Sequence, residues 1–385
     1  MGSVNGTPEP RSGLPAEPRP VVPDYLGANV RGLIPALLGP NDWSTSLPAW
    51  MPDPVRGADT AVLLVLDGLG WDQLTDHRHL MPTLDAMSGG SITTVAPTTT
   101  ATALASIATG LTPGEHGLIG YRMMLGGEVI NVLRWQVEKQ DRRRSRPPAD
   151  VQPFPAFLGK SVPVISPAEL EGSAFTEAHL RGGRPAGWRA VSSIAVEVGE
   201  QLRAGERFVY AYYGGIDKIA HERGFNDFYE AELRTADRLV ADIVEQLPPG
   251  AVLLVTADHG QVEVGDNIVY PSDELLAHVE TQSGEGRFRW LHARRGAADD
   301  LLKVAEHEVG HLAWVVSRDQ MIDEHWFGPT VAPPVAARLG DVALVAHAPV
   351  SFYDPADSGP FELVCRHGSL TSAEVHVPLL AAINN

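Results

Sequence analysis

Runs of consecutive apolar residues constrain the fold of this chain more than any other feature. Residues 61–66 and 252–256 contain no polar side chain apart from one terminal threonine. Such runs are typical of parallel-sheet strands that are buried on both faces. Further strand-like runs at 162–165 and 208–213 alternate with helix-like segments such as 225–247. The alternation predicts an α/β fold, a doubly wound and mostly parallel sheet with helices on both faces.

Side chains of the kind that bind metals follow four strand-like runs, the last of which is residues 362–365. They are Asp67, Asp217, His221, Asp258, His259 and His367. In α/β sheets, ligands bind beyond the carboxyl ends of the strands. A single aspartate there is more often a helix cap, but an adjacent aspartate and histidine would both need buried partners. Taken together, the four clusters predict one shared site.

A threonine-rich stretch joins a strand end to a helix start. Residues 91–95 have strand-like content, Pro97 stops the strand, and a helical period begins at Thr100. The free N–H groups and the dipole at a helix N-terminus stabilise an alkoxide or a phosphate. An ordinary threonine cap is the alternative. The ligand clusters favour the interpretation that a hydroxyl at this helix start, such as that of Thr100, belongs to the shared site.

Composition limits the possible partners. The chain has 385 residues, of which 44% are hydrophobic and 20% charged, as in ordinary globular proteins. A formal net charge of −18 argues against binding polymeric nucleic acid, although a metal-lined pocket can still bind a small anion. The single cysteine, Cys365, excludes an internal disulfide. No signal-peptide pattern and no apolar run of about 18 residues is present, so we expect a cytoplasmic protein without a membrane partner.

Local composition predicts three regions. Residues 1–24 are rich in glycine and proline and are expected to be a disordered tail. Residues 25–261 and 361–385 are expected to form the catalytic core. Residues 262–360, where the strand and helix pattern changes, are expected to form an inserted lid that sets substrate preference.

The insertion contains a motif that points to different chemistry. His307, Glu308 and His311 match the His-Glu-x-x-His signature of zinc proteases. Gly310 weakens the helix that this signature requires, and a protease would leave all the other clusters unexplained. We therefore interpret the motif as chance or as part of the lid surface.

The assembled motifs resemble the alkaline phosphatase superfamily, and within it the type I phosphodiesterase and nucleotide pyrophosphatase branch. The matching stretches are Leu66-Asp67-Gly68, residues 97–100 with Thr109-Gly110 and Gly117, Asp217-x-x-x-His221, Asp258-His259-Gly260 and His367-Gly368. The resemblance implies that Thr100 is the nucleophile, with Thr98, Thr99 and Thr102 as alternatives in neighbouring registers.

The resemblance also implies two divalent metal ions, manganese or zinc. One set of ligands would be Asp67, Thr100, Asp258 and His259, and the other Asp217, His221 and His367. A phosphothreonine would form by in-line displacement and would then be hydrolysed. Members of this branch usually carry an asparagine that contacts phosphate where this chain has Ala103. Candidate replacements are Tyr121, Tyr213 and Lys218.

A narrower resemblance suggests the substrate. Residues 118–121 and 131–135 look most like actinobacterial phosphodiesterases that cleave cyclic di-AMP. We therefore expect a small nucleotide substrate, with cyclic di-AMP opened to pApA and then cut to AMP. The alternatives are a phosphonate or phosphomonoester hydrolase of the same superfamily, and a nucleotide-binding sensor without catalysis.

Overall fold

A computed structural model describes residues 18–40, 46–357 and 362–384 of the chain. Its strands are β1 (Thr60–Leu66), β2 (Ser88–Thr93), β3 (Arg122–Leu125), β4 (Glu128–Asn131), β5 (Gln136–Val137), β6 (Gln140–Asp141), β7 (Pro163–Ile165), β8 (Arg184–Pro185), β9 (Phe208–Tyr213), β10 (Ala251–Thr256), β11 (Val262–Glu263), β12 (Ile268–Val269), β13 (Val279–Glu285), β14 (Phe288–Ala293), β15 (Ala313–Ser317), β16 (Val342–Ala346), β17 (Ser351–Phe352), β18 (Cys365–Arg366) and β19 (His376–Ile383).

The α-helices are α1 (Leu33–Leu38), α2 (Trp71–Asp76), α3 (Pro82–Asp85), α4 (Thr100–Thr109), α5 (Pro113–His116), α6 (Pro148–Val151), α7 (Ala174–Leu180), α8 (Ser192–Arg203), α9 (Gly215–Arg223), α10 (Asp227–Val244), α11 (Asp273–Ala277), α12 (Ala298–Val309), α13 (Arg318–Asp323), α14 (Pro333–Ala336) and α15 (Ser372–Val375). Short 3-10 turns cover Val30–Gly32, Asp53–Val55, Arg78–Leu80, Ala156–Gly159 and Ala168–Leu170. Within the described ranges, no helix combines the length and the apolarity that crossing a bilayer requires.

Seven strands form the central sheet in the order β2-β19-β10-β1-β9-β7-β8. The strands from β10 to β8 run parallel, and β19 is antiparallel to both of its neighbours. All residues of β10 and all but the first of β1 are buried, as continuous apolar runs require. The prediction of a mostly parallel α/β sheet flanked by helices is confirmed.

The carboxyl ends of β1, β2, β9 and β10 lie at one edge of this sheet. β2 points the same way as β10 because both are antiparallel to β19. Asp67 follows β1, Asp258 lies just beyond β10, and α9 starts directly after Gly214, the residue that follows β9. The helix predicted to begin at Thr100 does begin there. One edge of the sheet therefore receives ligand-type residues from separate parts of the sequence.

A second sheet lies within residues 279–346. Its four antiparallel strands have the order β13-β14-β16-β15, and α12 packs beside them on a separate apolar cluster that includes Leu301 and Leu344. The short pairs β11–β18 and β12–β17 join the two ends of this region to each other. That residues 262–360 act as a lid stays a prediction.

The N-terminal region differs in part from the expected disordered tail of residues 1–24. Residues 1–17 lie outside the described residues. Residues 18–24 lie against the folded protein, where the Val21 N–H donates to the Leu370 carbonyl at 2.8 Å. The disordered tail expected over residues 1–24 therefore included residues 18–24, which contact the folded protein.

The strand expected at residues 362–365 is also different. Only Cys365 and Arg366 form a strand, and they pair with β11 rather than with the central sheet. The Val364 N–H donates instead to the carbonyl of His221 at 2.7 Å. This backbone hydrogen bond joins the segment before His367 to α9. His367 therefore reaches the carboxyl edge of the central sheet from outside that sheet.

A buried ion pair joins the turn between β13 and β14 of the second sheet to Glu374 in α15. Arg287 donates from Nε and Nη2 to the two carboxylate oxygens of Glu374, each at 2.8 Å, and both side chains are fully buried. The other guanidinium N–H groups donate to three backbone carbonyls. Glu374 also accepts from the Ser369 N–H at 3.0 Å. The two-point geometry and the satisfied hydrogen bonds make this pair a rigid joint.

We predict that Arg287→Met lowers the free energy of unfolding by about 3–5 kcal/mol, because the Glu374 charge stays buried without its partner. Urea denaturation measures the loss. The matched control is Arg294→Met, whose pair with Glu280 is exposed and should contribute less than about 1 kcal/mol. Equal stability losses in the two variants would contradict the structural role of the buried pair.

Candidate active site

The six side chains expected to bind metal lie together at the carboxyl edge of the central sheet. Ligand atoms within 4.8 Å of one another define two groups, a first group of Asp67, Asp258 and His259 and a second group of Asp217, His259 and His367. His259 belongs to both. His221 adjoins the second group, with its Nε2 3.2 Å from Oδ1 of Asp217. The topology of the sheet therefore brings all six into one cluster.

Backbone carbonyls orient the three histidines. In His221, His259 and His367, the Nδ1 atom lies within 2.6 to 3.0 Å of a carbonyl oxygen. A carbonyl can only accept, so Nδ1 carries the hydrogen and Nε2 keeps its lone pair. The Nε2 atoms lie 3.2 to 3.9 Å from carboxylate oxygens of the candidate aspartate ligands. Histidines that bind metals are usually held in this way.

Two carboxylate oxygens in the first group are buried and have no hydrogen-bond partner among the described residues, Oδ1 of Asp67 and Oδ2 of Asp258. They lie 3.5 and 3.4 Å from Nε2 of His259. The other oxygen of Asp67 accepts from the Tyr212 hydroxyl, and that of Asp258 accepts from the N–H of Gly68 at 3.1 Å. An unpaired buried carboxylate oxygen is costly, and a divalent cation would satisfy both. The donor set fits a metal ion.

The electrostatics of the cluster agree with this assignment. Burial raises the pKa of Asp67 well above its usual range, and the charges of Asp258 and Asp217 raise it further. Burial also raises the pKa of Asp258. Burial and the neighbouring imidazoles lower the pKa of His367 well below its usual range. Ionised carboxylates at this edge therefore require a nearby positive charge, and a neutral His367 is the form that binds a metal.

The hydroxyl of Thr100 lies beside the first group. Its Oγ1 is 3.2 Å from Nε2 of His259. Thr100 is the first residue of α4, and no side chain caps this helix. The N-terminus of α4, where backbone N–H groups and the helix dipole favour an anion, therefore lies beside the cluster.

Two of the three neighbouring threonines are engaged elsewhere. The Thr98 hydroxyl donates to the Ser369 carbonyl at 2.8 Å, and Thr99 hydrogen-bonds Glu285. The Thr102 hydroxyl is buried and has no partner in the described part of the chain. That Thr100 is the reactive residue stays a prediction, and the contact of its hydroxyl with His259 agrees with it.

The expected substrate contacts lie at three separate places. Tyr213, at the end of β9, donates its hydroxyl to Glu232. Tyr121, just before β3, accepts from the Asn131 amide at 2.7 Å. Lys218 is exposed on α9. Their contacts with a substrate stay predictions.

Three polar side chains that touch the ligands escaped the sequence analysis: Tyr212, Gln261 and Glu285. Gln261 donates to Oδ1 of Asp217 at 2.9 Å, and its position directly after the aspartate-histidine-glycine motif was an available signal. Glu285, at the end of β13, has Oε2 3.6 Å from Nδ1 of His367. Burial raises the pKa of Glu285 to about 8. Nothing in its local sequence marks this glutamate, because only the tertiary fold brings β13 to the site.

Gly68 leaves room for this arrangement. Its φ of 77° lies in the left-handed region that favours glycine. A Cβ there would lie 2.5 Å from the Gln261 amide nitrogen and 2.9 Å from Cα of Asp217. The glycine after Asp67 is therefore required by both backbone conformation and space.

The motif that resembles a zinc protease signature has a structural role. α12 ends at Val309, so His311 lies beyond the helix and does not share a helical face with His307. Glu308 accepts from the N–H and the hydroxyl of Ser272 at the start of α11. The geometry that a zinc protease needs is absent from these described residues.

A family model described as type I phosphodiesterase / nucleotide pyrophosphatase matches residues 61–370. This range contains every candidate metal ligand and Thr100. No curated protein matches the chain significantly in sequence.

Solved structures share the fold. An inactive variant of murine ectonucleotide pyrophosphatase / phosphodiesterase 5 in complex with AMP superposes with a TM-score of 0.60 at 14% identity, covering 85% of this chain and 88% of that chain. Phosphonoacetate hydrolase from Sinorhizobium meliloti 1021 in complex with phosphonoacetate superposes with a TM-score of 0.58 at 16% identity, covering 85% and 90%. At these identities the likeness shows a shared fold.

We predict that Mn²⁺ or Zn²⁺ raises the melting temperature of the metal-free protein, since a ligand that binds only the folded state stabilises it by about 4 kcal/mol at a thousand times its Kd. Asp258→Asn should reduce this shift to less than half, because a charged ligand of the first group is lost. Differential scanning calorimetry measures both.

The matched control for this measurement is the double variant His307→Ala and His311→Ala, which should keep the full shift. If the metal-induced shift survives in Asp258→Asn but disappears in the double variant, the metal binds at His307 and His311, and the assignment of the first group is contradicted.

Proposed function

This chain belongs to the type I phosphodiesterase / nucleotide pyrophosphatase family, and we propose that it hydrolyses phosphodiester bonds of a small nucleotide with Thr100 as the nucleophile. Membership makes it a hydrolase of phosphoric esters in the alkaline phosphatase superfamily. The observation that carries the proposal is the position of the Thr100 hydroxyl, 3.2 Å from His259 at the uncapped start of α4.

The metal assignment is part of the proposal. Two divalent ions would be held, one by Asp67, Thr100, Asp258 and His259 and the other by Asp217, His221 and His367. Mixed carboxylate and imidazole ligands suit both manganese and zinc. When bound, the ions would supply positive charge that stabilises the phosphoryl oxygens and favours the threonine alkoxide. His259 belongs to both groups of ligand atoms.

The residues of the chain account for the order of events. The first turn of α4 binds the anionic phosphoryl group through its N–H groups and dipole. Oγ1 of Thr100 then forms a bond to phosphorus, and the ester bond to one nucleotide oxygen breaks; that oxygen takes up a proton. Water hydrolyses the phosphothreonine and restores the hydroxyl.

The proposed substrate is cyclic di-AMP, opened to pApA and then cut to AMP. The family match supports a nucleotide, and the sequence motifs at residues 118–121 and 131–135 favour this dinucleotide. The net charge of −18 makes a polymeric nucleic acid an unfavourable partner. The proposal includes a cytoplasmic location, because the protein would encounter such a dinucleotide there.

A phosphonate hydrolase is the second candidate. Phosphonoacetate hydrolase superposes on this chain about as well as the nucleotide pyrophosphatase does, with TM-scores of 0.58 and 0.60. Phosphonoacetate carries a phosphorus–carbon bond and no phosphoester bond, whereas a phosphodiester is cut at a phosphorus–oxygen bond, so the two candidates differ in the bond that is cut. A binding protein without catalysis would not require a hydroxyl at the cluster.

The test is chromatography of the products formed from cyclic di-AMP, cyclic di-GMP, bis(p-nitrophenyl) phosphate and phosphonoacetate, with manganese or zinc added. We expect pApA and AMP from cyclic di-AMP, with slower conversion of cyclic di-GMP. Hydrolysis of bis(p-nitrophenyl) phosphate, with neither cyclic dinucleotide cleaved, would contradict the proposed substrate. Conversion of phosphonoacetate alone would favour the second candidate.

We further predict that Thr100→Ala lowers single-turnover cleavage on the order of 10³-fold or more, because the attacking oxygen is removed while the other proposed metal ligands remain. The matched control is Thr102→Val, which removes a buried hydroxyl from the same helix and should stay within about tenfold of wild type, a barrier change of about 1.4 kcal/mol. An active Thr100→Ala beside an inactive Thr99→Ala would show that the register is off by one.

A further inference from the structure

Tyr212 donates a hydrogen bond to Asp67 from the neighbouring strand. The two strands pair in parallel with Val65 opposite Tyr212, so Asp67 lies just beyond the tyrosine at the carboxyl edge. The Tyr212 hydroxyl donates to Oδ2 of Asp67. None of the sequence motifs that resemble the family includes this tyrosine. Tyr212 therefore makes a polar contact with a candidate metal ligand, and the proposed function assigns no role to this contact.

The surroundings hold both partners in place. The N–H of Asp67 donates to the Tyr213 carbonyl at 2.9 Å, and the Trp188 indole donates to the Tyr212 carbonyl at 3.2 Å. A Cβ on Gly214 would lie only 2.9 Å from the Tyr212 hydroxyl oxygen, closer than side chains normally approach. The glycine after β9 thus makes room for the hydroxyl, and neither partner is free to turn away.

The hydrogen bond distinguishes the two oxygens of Asp67. Oδ2 is engaged by Tyr212, whereas Oδ1 is buried and without a partner among the described residues, 3.5 Å from Nε2 of His259. A carboxylate whose second oxygen accepts a strong hydrogen bond presents a single oxygen to a metal in a fixed orientation. Without the hydroxyl, the carboxylate could rotate about its terminal bond or offer both oxygens.

We propose that Tyr212 is a positioning residue that restricts Asp67 to one metal-facing oxygen, Oδ1. The inference rests on the proposed function, because it takes Asp67 to be a metal ligand. It adds that the geometry of the first group is set from β9 as well as from β1. Tyr212 acts through Asp67 and needs no contact with the substrate.

The variant Tyr212→Phe tests this inference because it removes only the hydroxyl. The matched control is Tyr210→Phe, two residues earlier on the same face of β9. The Tyr210 hydroxyl is buried and has no hydrogen-bond partner in the described part of the chain. Each variant loses one hydroxyl oxygen from β9, but only Tyr212→Phe loses a hydrogen bond to a candidate metal ligand. Urea denaturation of the metal-free proteins confirms that each variant folds.

Calorimetric titration of the metal-free proteins with Mn²⁺ gives the main result. Tyr212→Phe should weaken one of two binding events about 10- to 100-fold, the usual effect of losing a partner that orients a metal ligand. Tyr210→Phe should stay within about threefold of wild type. Equal affinities in wild type and Tyr212→Phe would overturn the inference.

A spectroscopic measurement separates positioning from a general loss of stability. The visible spectrum of bound Co²⁺ reports coordination geometry, so it should change in Tyr212→Phe and remain unchanged in Tyr210→Phe. An unchanged Co²⁺ spectrum in Tyr212→Phe would overturn the inference even if the affinity fell. If wild type binds no divalent metal, the proposed function fails. If wild type binds metal and hydrolyses diesters while Tyr212→Phe matches it, only the role of Tyr212 fails.

Discussion

The proximity of buried carboxylates at one edge of the sheet is the constraint on which the rest of the site depends. β1 and β10 pair in parallel with Val65 opposite Thr256, so Asp67 and Asp258 emerge level with each other. Two ionised carboxylates at such close range in a buried site repel each other strongly. N–H groups and the Tyr212 hydroxyl satisfy one oxygen of each, and a divalent cation would satisfy the other. The fold therefore favours the binding of a divalent cation at these carboxylates even when no substrate is present.

The second sheet contributes to the site as well as lying beside it. Glu285 and Arg287 flank one glycine at the turn between β13 and β14, and they reach different parts of the cluster. Glu285 contacts Thr99 and approaches His367, whereas Arg287 holds Glu374, whose carbonyl accepts the Gly260 N–H. This turn thus touches the segments that carry Thr100, His259 and His367. A sequence change at the turn would alter the reactive geometry without changing a single ligand.

The sequence revealed the parts of the structure that local patterns encode. The apolar runs located β1 and β10, and the proline and small residues located the start of α4 at Thr100. The strand expected at 362–365 was wrong, because a hydrogen bond to the His221 carbonyl draws that segment away from the sheet. Tyr212 and Glu285 reach the ligands only through strand pairing and the packing of the insertion. Such contacts join residues far apart in the sequence and leave no local pattern.

Anomalous scattering from crystals soaked in Mn²⁺ or Zn²⁺ tests the central claim most directly, because it locates each ion independently of turnover. The account predicts two peaks at the carboxyl edge of the central sheet, one beside Oδ1 of Asp67 and Oδ2 of Asp258 and the other between Asp217 and His367. Peaks only at His307 and His311, or none within reach of Asp258, would contradict it.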